Sequence, residues 1–485
     1  MAKSKFFLAV SLILILANFV LLVFVKIEDF DLIISQNIVY ILAVLILATF
    51  LLLKCRYFLW LIIILLAIIR FYYFIQPEVK TANNFAYGEF YTFEAVIKDT
   101  DKKLDGWQLV VQPENLENFN NQIIVYAPLY PTYTHGDLLE ISCKVYQPEE
   151  IIDDQGNKFA YNKYLAKDRI LATCFRPRIK LIENKGQGLF KAKEYFLKNL
   201  NNYLVEPASS LSKAIILASR REIPADLREI FAKVGLSHVI AISGLHIAII
   251  VWLLQSVLSA LGLSRKIIFY FLIIILLIYL YLLGFPSSAV RASLMVIMVL
   301  LGPFLGRQTT SVFSLLLAAD IFILLNPYVL IYDIGFQLSF LAVLGLLFYV
   351  KFFNQTLKIA PVKWKIREVL AVTLSAQIFT WPLIVFHFNI FSLIAPVANF
   401  LILPLLPLIL VLSLALAIFG WLPLLANIIA WSLFMLLKIM TEIAQRLSQL
   451  PLAYWQINNF SLTYLFLSLF LMIIITMILK PHQYE

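Results

Sequence analysis

The sequence predicts a polytopic α-helical membrane protein of about twelve spans, with a small extracytoplasmic β-barrel inserted after the third. Three observations predict it. Of the 485 residues, 62% are hydrophobic and 14% are charged, where soluble domains carry about a quarter charged residues. Apolar runs long enough to cross a bilayer recur along most of the chain. One stretch, 76–185, has frequent charges and period-two alternation instead. An ordinary soluble globule is excluded. Three cysteines are too few for a disulfide-dense scaffold.

Residues 1–75 hold three apolar segments, 6–25, 38–53 and 57–75. The first follows Lys3 and Lys5 but lacks a small-residue cleavage site, so it reads as a retained span. The acidic turn around Glu28, Asp29 and Asp31 and the basic turn Lys54-Cys55-Arg56 then place the N-terminus in the cytoplasm. Residues 76–185 fall outside by the same rule.

Within 76–185, alternation predicts strands at 90–97, 107–111, 123–126, 137–145 and 170–175. Asp105-Gly106 is a hairpin signal, and His135-Gly136-Asp137 opens another strand. Five short strands over about 100 residues suggest a small barrel of OB type. Cys143 and Cys174 each sit in one of these strands, so a disulfide between them fits an oxidising exterior. Two separate buried thiols are the alternative.

Residues 186–235 read as amphipathic linker helices. Residues 188–204, with Lys191, Lys193 and Lys198, are expected to lie on the membrane surface. Shorter helical pieces follow, broken at Pro224 and carrying Arg220-Arg221-Glu222. Residues 236–480 hold nine further apolar segments: 236–261, 267–283, 289–305, 311–325, 336–350, 369–385, 393–419, 424–447 and 462–479. Basic residues alternate between their loops as a cytoplasmic C-terminal tail at 481–485 requires.

Four places break the apolar pattern. They are His238 to His246, with Ser243 and Gly244; Gly284 to Ser293, with Arg291; Asp320 through Asp333 to Gln337; and the proline-rich stretch around Asn399. Polar groups at bilayer depth cost several kcal/mol unless they face protein, water or a ligand. Broken helices there line cavities or paths in preference to facing lipid.

The motifs HVIAISGLHI, GFPSSAVRASLM, NPYVLIYDIGFQLSFLA and PVANFLILPLLP resemble, in order and spacing, the competence region of the ComEC family. The resemblance covers nearly the whole chain. It implies early spans, an OB-like extracytoplasmic domain and a helical channel that passes single-stranded DNA across the bacterial inner membrane during natural transformation. It also implies partners: a DNA receptor outside, a helicase-like ATPase inside, and the lipid bilayer itself. Many relatives carry a metallo-β-lactamase-like domain with an HxHxDH motif. The five histidines here, His135, His238, His246, His387 and His482, form no such motif, so nuclease activity is expected from a separate protein or is absent. There is no Walker A loop either, and no cofactor or metal is expected.

A single strand needs cations along its phosphates and aromatic faces for its bases. Lys98, Lys102, Lys103, Arg176 and Arg178 are entrance candidates, with Lys180, Phe90, Tyr91, Phe93 and Trp107 nearby in sequence. Arg220 and Arg221 extend that set as an entrance patch, with a solvated helix end as the favoured alternative. A domain that caps the channel, its aromatics in a core, is the alternative. Among channel-lining candidates, Arg291 begins a span after a Gly/Pro loop, so its guanidinium and a helix N-terminus would act together on phosphate. A snorkelling arginine is the alternative. Asp333 is expected to cap the helix starting near Gly335, and Asp320 to be neutralised by Arg291 or Arg307. Asn399 is expected to satisfy backbone groups freed by prolines.

Two catalytic arrangements are conceivable from the residues. Ser243 and His246, three apart, share a face of a continuous helix, but no residue orients the base and Gly244 weakens continuity. His238 and His246 lie about 80° apart on an ideal helix; with His387 they lack a carboxylate at ligand spacing. A channel is therefore favoured, with a transporter for another anionic polymer or small solute as its rival.

Overall fold

The computed structural model describes residues 86–479, with short breaks at 103–105, 117–118, 120, 153–157, 160, 184–188, 305–310, 359–365 and 458–459, together with residues 11, 14, 15, 18, 70 and 74. The strands are β1 (Phe90–Lys102), β2 (Trp107–Pro113), β3 (Gln122–Ala127), β4 (Leu138–Tyr146), β5 (Ile151–Ile152), β6 (Lys158–Phe159), β7 (Ile170–Phe175), β8 (Arg178–Glu183), β9 (Ile390–Ser392) and β10 (Tyr454–Gln456). The helices are α1 (Tyr161–Ala166), α2 (Leu189–Tyr203), α3 (Ala208–Leu217), α4 (Ala225–Lys233), α5 (Gly244–Ala260), α6 (Arg265–Leu283), α7 (Ser287–Phe304) and α8 (Ser311–Leu325). They continue with α9 (Val329–Tyr332), α10 (Ile334–Thr356), α11 (Ile366–Phe388), α12 (Ala395–Ile402), α13 (Leu406–Phe419), α14 (Pro423–Ser448) and α15 (Leu462–Leu479).

The chain divides into two compact units. The first joins residues 1–187 to 313–337, so α9 and most of α8 pack with the β-rich part. The sequence had placed them inside one domain spanning 236–480. In this unit the sheet order is β1-β2-β3-β7-β4-β8, and β1 also pairs β4. That extra pairing closes five strands into a barrel. All neighbours are antiparallel except β3 and β7. Alternation explains the barrel: Leu139, Ile141, Cys143 and Val145 of β4 point inward and are buried, while the residues between them point out. The predicted strands are all present, with β1 running on to Lys102; β8 was not foreseen.

Cys143 and Cys174 form a disulfide across β4 and β7, with their Cα atoms 6.1 Å apart. Asp137 caps the turn before β4, accepting from the Thr134 N–H and hydroxyl, both at 2.8 Å. Helix α1 covers Ile124 and Ile170 with Leu165. The floor of the core is supplied from afar: Tyr328 is buried in the same apolar cluster as Phe93, Ile97 and Val125. Asn326 Nδ2 donates to the Lys167 carbonyl at 2.5 Å.

The second unit is helical. Among the described residues, five helices are long and apolar enough to cross a membrane: Arg265–Leu283, Ile334–Thr356, Ile366–Phe388, Ala395–Phe419 and Pro423–Ser448. Shorter apolar helices include Gly244–Ala260 and Leu462–Ile478. The segments expected in 1–75 lie almost wholly outside the described residues, as do Lys26 to Asp31, Lys54 and Arg56. Residues 393–419, read as one span, form α12 and α13 with a 3₁₀ turn at Leu403–Leu405 between them. Pro404 and Pro407 supply no N–H there, which interrupts the hydrogen-bond ladder.

Helix α2 does more than rest on a surface. Its Asn199, Tyr195 and Tyr203 side chains donate to the carbonyls of Ala417, Ile418 and Gly420 at 2.8, 3.2 and 3.0 Å. Those are the carbonyls a helix end leaves without partners. Helix α3 is buried along all ten residues. Ser212 bonds Ser413 at 2.9 Å, and Lys213 pairs with Glu222 and, at 3.7 Å, with Glu206.

Candidate functional site

The candidate site lies where α4 gives way to α5. Gly235, at φ +74°, ends α4, and a Cβ there would meet the Ala395 Cβ at 2.5 Å. Only glycine fits both conditions. The chain then turns irregularly from 236 to 243, and the helix of the apolar segment 236–261 begins only at Gly244. Leu236, Val239, Ile240 and Ile242 are buried, so apolar side chains hold the loop in place of a hydrogen-bond ladder. His238 is exposed, with Nδ1 3.1 Å from the Gly235 carbonyl.

Ser243 takes an extended backbone conformation and starts α5 at Gly244. It forms a reciprocal box with His246. The Ser243 N–H donates to His246 Nδ1 at 3.3 Å, and the Ser243 hydroxyl lies 3.1 Å from the same nitrogen. A histidine here replaces the Glu or Gln usual in a capping box. Because Nδ1 accepts, the neutral ring carries its proton on Nε2. His246 is fully buried. Its Nε2 has no hydrogen-bond partner among the described residues. The dyad contact therefore exists, but its nitrogen lone pair is shared with a backbone N–H. No carboxylate is hydrogen-bonded to His246 among the described residues. The arrangement is a helix cap.

Gly244 allows α7 close: a Cβ on it would stand 3.8 Å from the Ala292 Cβ. The neighbour of Ala292, Arg291, sits in the second turn of α7 and is 1% exposed. This burial removes the snorkelling alternative. Arg220, in the 3₁₀ turn Arg220–Glu222, is exposed. The α5 N-terminus, Arg220 and Arg291 are all electropositive. Glu206 and Glu222 pair with Lys213. A helix N-terminus suits an anion.

Asp333 accepts from the Phe336 N–H at 3.0 Å and caps α10. Gln337 donates to the Leu330 and Ile331 carbonyls at 3.0 and 2.8 Å. Asp320 accepts from the Ser11 hydroxyl at 2.5 Å. Its described partner is thus a neutral donor and not an arginine; Arg307 lies outside the described residues. Asn399 donates to the Thr373 hydroxyl of α11 at 3.5 Å and leaves backbone groups to others. On the barrel, Lys98, Arg176 and Arg178 are exposed, but Phe93 is core and Trp107 is half-buried, donating to the Leu129 carbonyl. The side chains of Lys102 and Arg221, and all of Lys103, lie outside the described residues.

Sequence reasoning missed Lys213, although a lysine inside the apolar run Ala208–Leu217 was a readable signal. It also missed an outer row of aromatic rings on the barrel, which needs strand register to be seen.

Comparison with known proteins bears on the same region. The competence protein family profile matches residues 215–482. The chain is similar to ComE operon protein 3 of Bacillus subtilis (strain 168), 28% identical over 331 residues, which cover 65% of this chain and 40% of that protein. The chain thus spans two fifths of that relative's length. No solved structure matches it. The family profile takes in α5, α7 and the broken α12–α13 pair, more than half of the 485 residues, and the protein belongs to the competence protein family.

Proposed function

We propose that this protein is a channel of the bacterial inner membrane that passes single-stranded DNA into the cytoplasm during natural transformation. The observation that carries the reading is the capped N-terminus of α5, which with α7 and its buried Arg291 lies within the region matched to the competence family. A passing phosphate is an anion that a helix N-terminus and a guanidinium can hold.

On this reading the described arrangement is the closed state, since His246 and Arg291 are buried, and α5 and α7 must part for a strand to pass. The barrel stands outside the cytoplasm and both termini lie inside. A DNA receptor delivers substrate, a helicase-like ATPase pulls from within, and a separate nuclease removes the second strand. The protein itself catalyses no covalent step.

The test is transformation of a deletion strain complemented with this chain. Loss of uptake with outside DNA binding retained, restored by the chain, is the expected result. Unchanged transformation in the deletion strain overturns the reading and favours a transporter for another anionic polymer or small solute.

A further inference from the structure

The outer face of the barrel carries a feature that the channel reading does not use. In β4, Cys143 and Val145 point into the core, so Lys144 and Tyr146 point out. Phe90 of β1 pairs with Lys144. On the other side, Val145 pairs with Cys174, and one step along the same register brings Phe175 beside Lys144. Phe175 in turn pairs with Tyr126 of β3. A row therefore crosses four strands, aromatic, cation, aromatic, aromatic, about 14 Å wide at ordinary strand spacing.

The rings are arranged and not merely close in sequence. Tyr126 and Phe175 stack face to face, with centroids 4.8 Å apart and planes 2° from parallel. Tyr146 lies 6.2 Å from Phe175, tilted by 56°. The Lys144 ammonium stands 5.5 Å from the centre of the Tyr146 ring. Burial does not explain this: Phe90 is 77% exposed, Phe175 53% and Tyr146 39%. Arg176 and Arg178 are exposed just beyond Phe175.

We infer that this row is a base-stacking platform for single-stranded nucleic acid, with Lys144, Arg176 and Arg178 on its phosphates. Stacking tolerates any base, and cations beside open rings match a strand's alternation of base and phosphate. A lipid-facing patch fits less well. The outward neighbours Thr92 and Ser142 are hydroxyls, hydrogen-bonded to each other at 2.9 Å, and Thr173 bonds the Tyr146 carbonyl. The inference rests on the reading of the chain as a carrier of single strands.

The test uses the full chain in lipid nanodiscs and the anisotropy of a labelled oligothymidylate. Phe175→Ala with Tyr146→Ala should weaken binding about tenfold or more. Phe175→Trp should preserve it, and Lys144→Gln should lessen its salt dependence. An oligonucleotide with abasic sites and the same phosphates should bind the wild type more weakly and lose nothing further in the double variant. Equal affinity of wild type and double variant, with unchanged circular dichroism, overturns the platform alone. Wild-type protein that binds no single strand overturns the carrier reading too. Quenching of the Phe175→Trp fluorescence by brominated lipid places the row in the bilayer and also overturns the platform.

Discussion

Gly345 of α10 and Ser375 of α11 meet backbone to backbone: a Cβ on Gly345 would fall 2.1 Å from the Ser375 carbonyl oxygen. Two long apolar helices can cross this closely only where one has no side chain. Gly345→Ala must therefore push the helices apart. Overpacking of this kind costs about 1–3 kcal/mol or more. The variant should show a clearly lower Tm in detergent than wild type. An unchanged Tm would mean that the two helices do not cross at this point.

The Ser243–His246 box makes a sharper chemical prediction. His246→Asn keeps an acceptor near the Ser243 N–H, whereas His246→Leu does not. Losing a cap costs roughly 1 kcal/mol, and a buried unsatisfied N–H adds to it. The Leu variant should therefore melt well below the Asn variant. Equal Tm values would refute the acceptor role of Nδ1.

Lys213 is 5% exposed and lies between Glu222 and Glu206. Removing both acids leaves a buried unpaired cation, which is a loss of about 3–5 kcal/mol. Lys213→Met in the same background should recover much of it. A Lys213→Met change that is as harmful alone as the double acid removal would sink this account.

The disulfide predicts a labelling pattern. Cys143 and Cys174 should resist a thiol reagent in the denatured, oxidised protein and react after reduction. Peptide mapping separates them from Cys55. With a sequence separation of 31 between the partners, the constraint on the unfolded chain is worth about 3–4 kcal/mol in the loop-entropy picture. Two reactive thiols before reduction would contradict the bridge.

Arg291 tests the channel reading directly. Arg291→Glu reverses the charge where a phosphate would pass, and Arg291→Lys keeps it. Transformation frequency should fall about tenfold or more further with Glu than with Lys. Equal frequencies would argue against phosphate contact.

Much of this architecture was legible in the residues. Alternation in 138–146 reads directly as a half-buried strand, and the apolar runs of α6 and α14 read as spans because lipid and core both demand the same side chains. The break at Ser243 was visible too, since Ser and Gly interrupt an apolar run. What was not visible depends on register or distance. The row of Phe90, Lys144, Phe175 and Tyr126 comes from four strands whose offsets no local pattern sets. The partner of Asp320 is Ser11, 309 positions away, and charge alone pointed to an arginine instead. Histidine as the cap-box acceptor eluded a rule written for Glu and Gln.

The seating of Tyr328 beneath the barrel has a bearing on biosynthesis. A ribosome releases the five barrel strands long before it reaches residue 328, so the newborn sheet must wait, its underside greasy and open, while some 150 further residues are made. During that interval a chaperone or the insertion machinery has a surface to hold. A gene truncated before residue 328 should accordingly yield an aggregating fragment and not a tidy module.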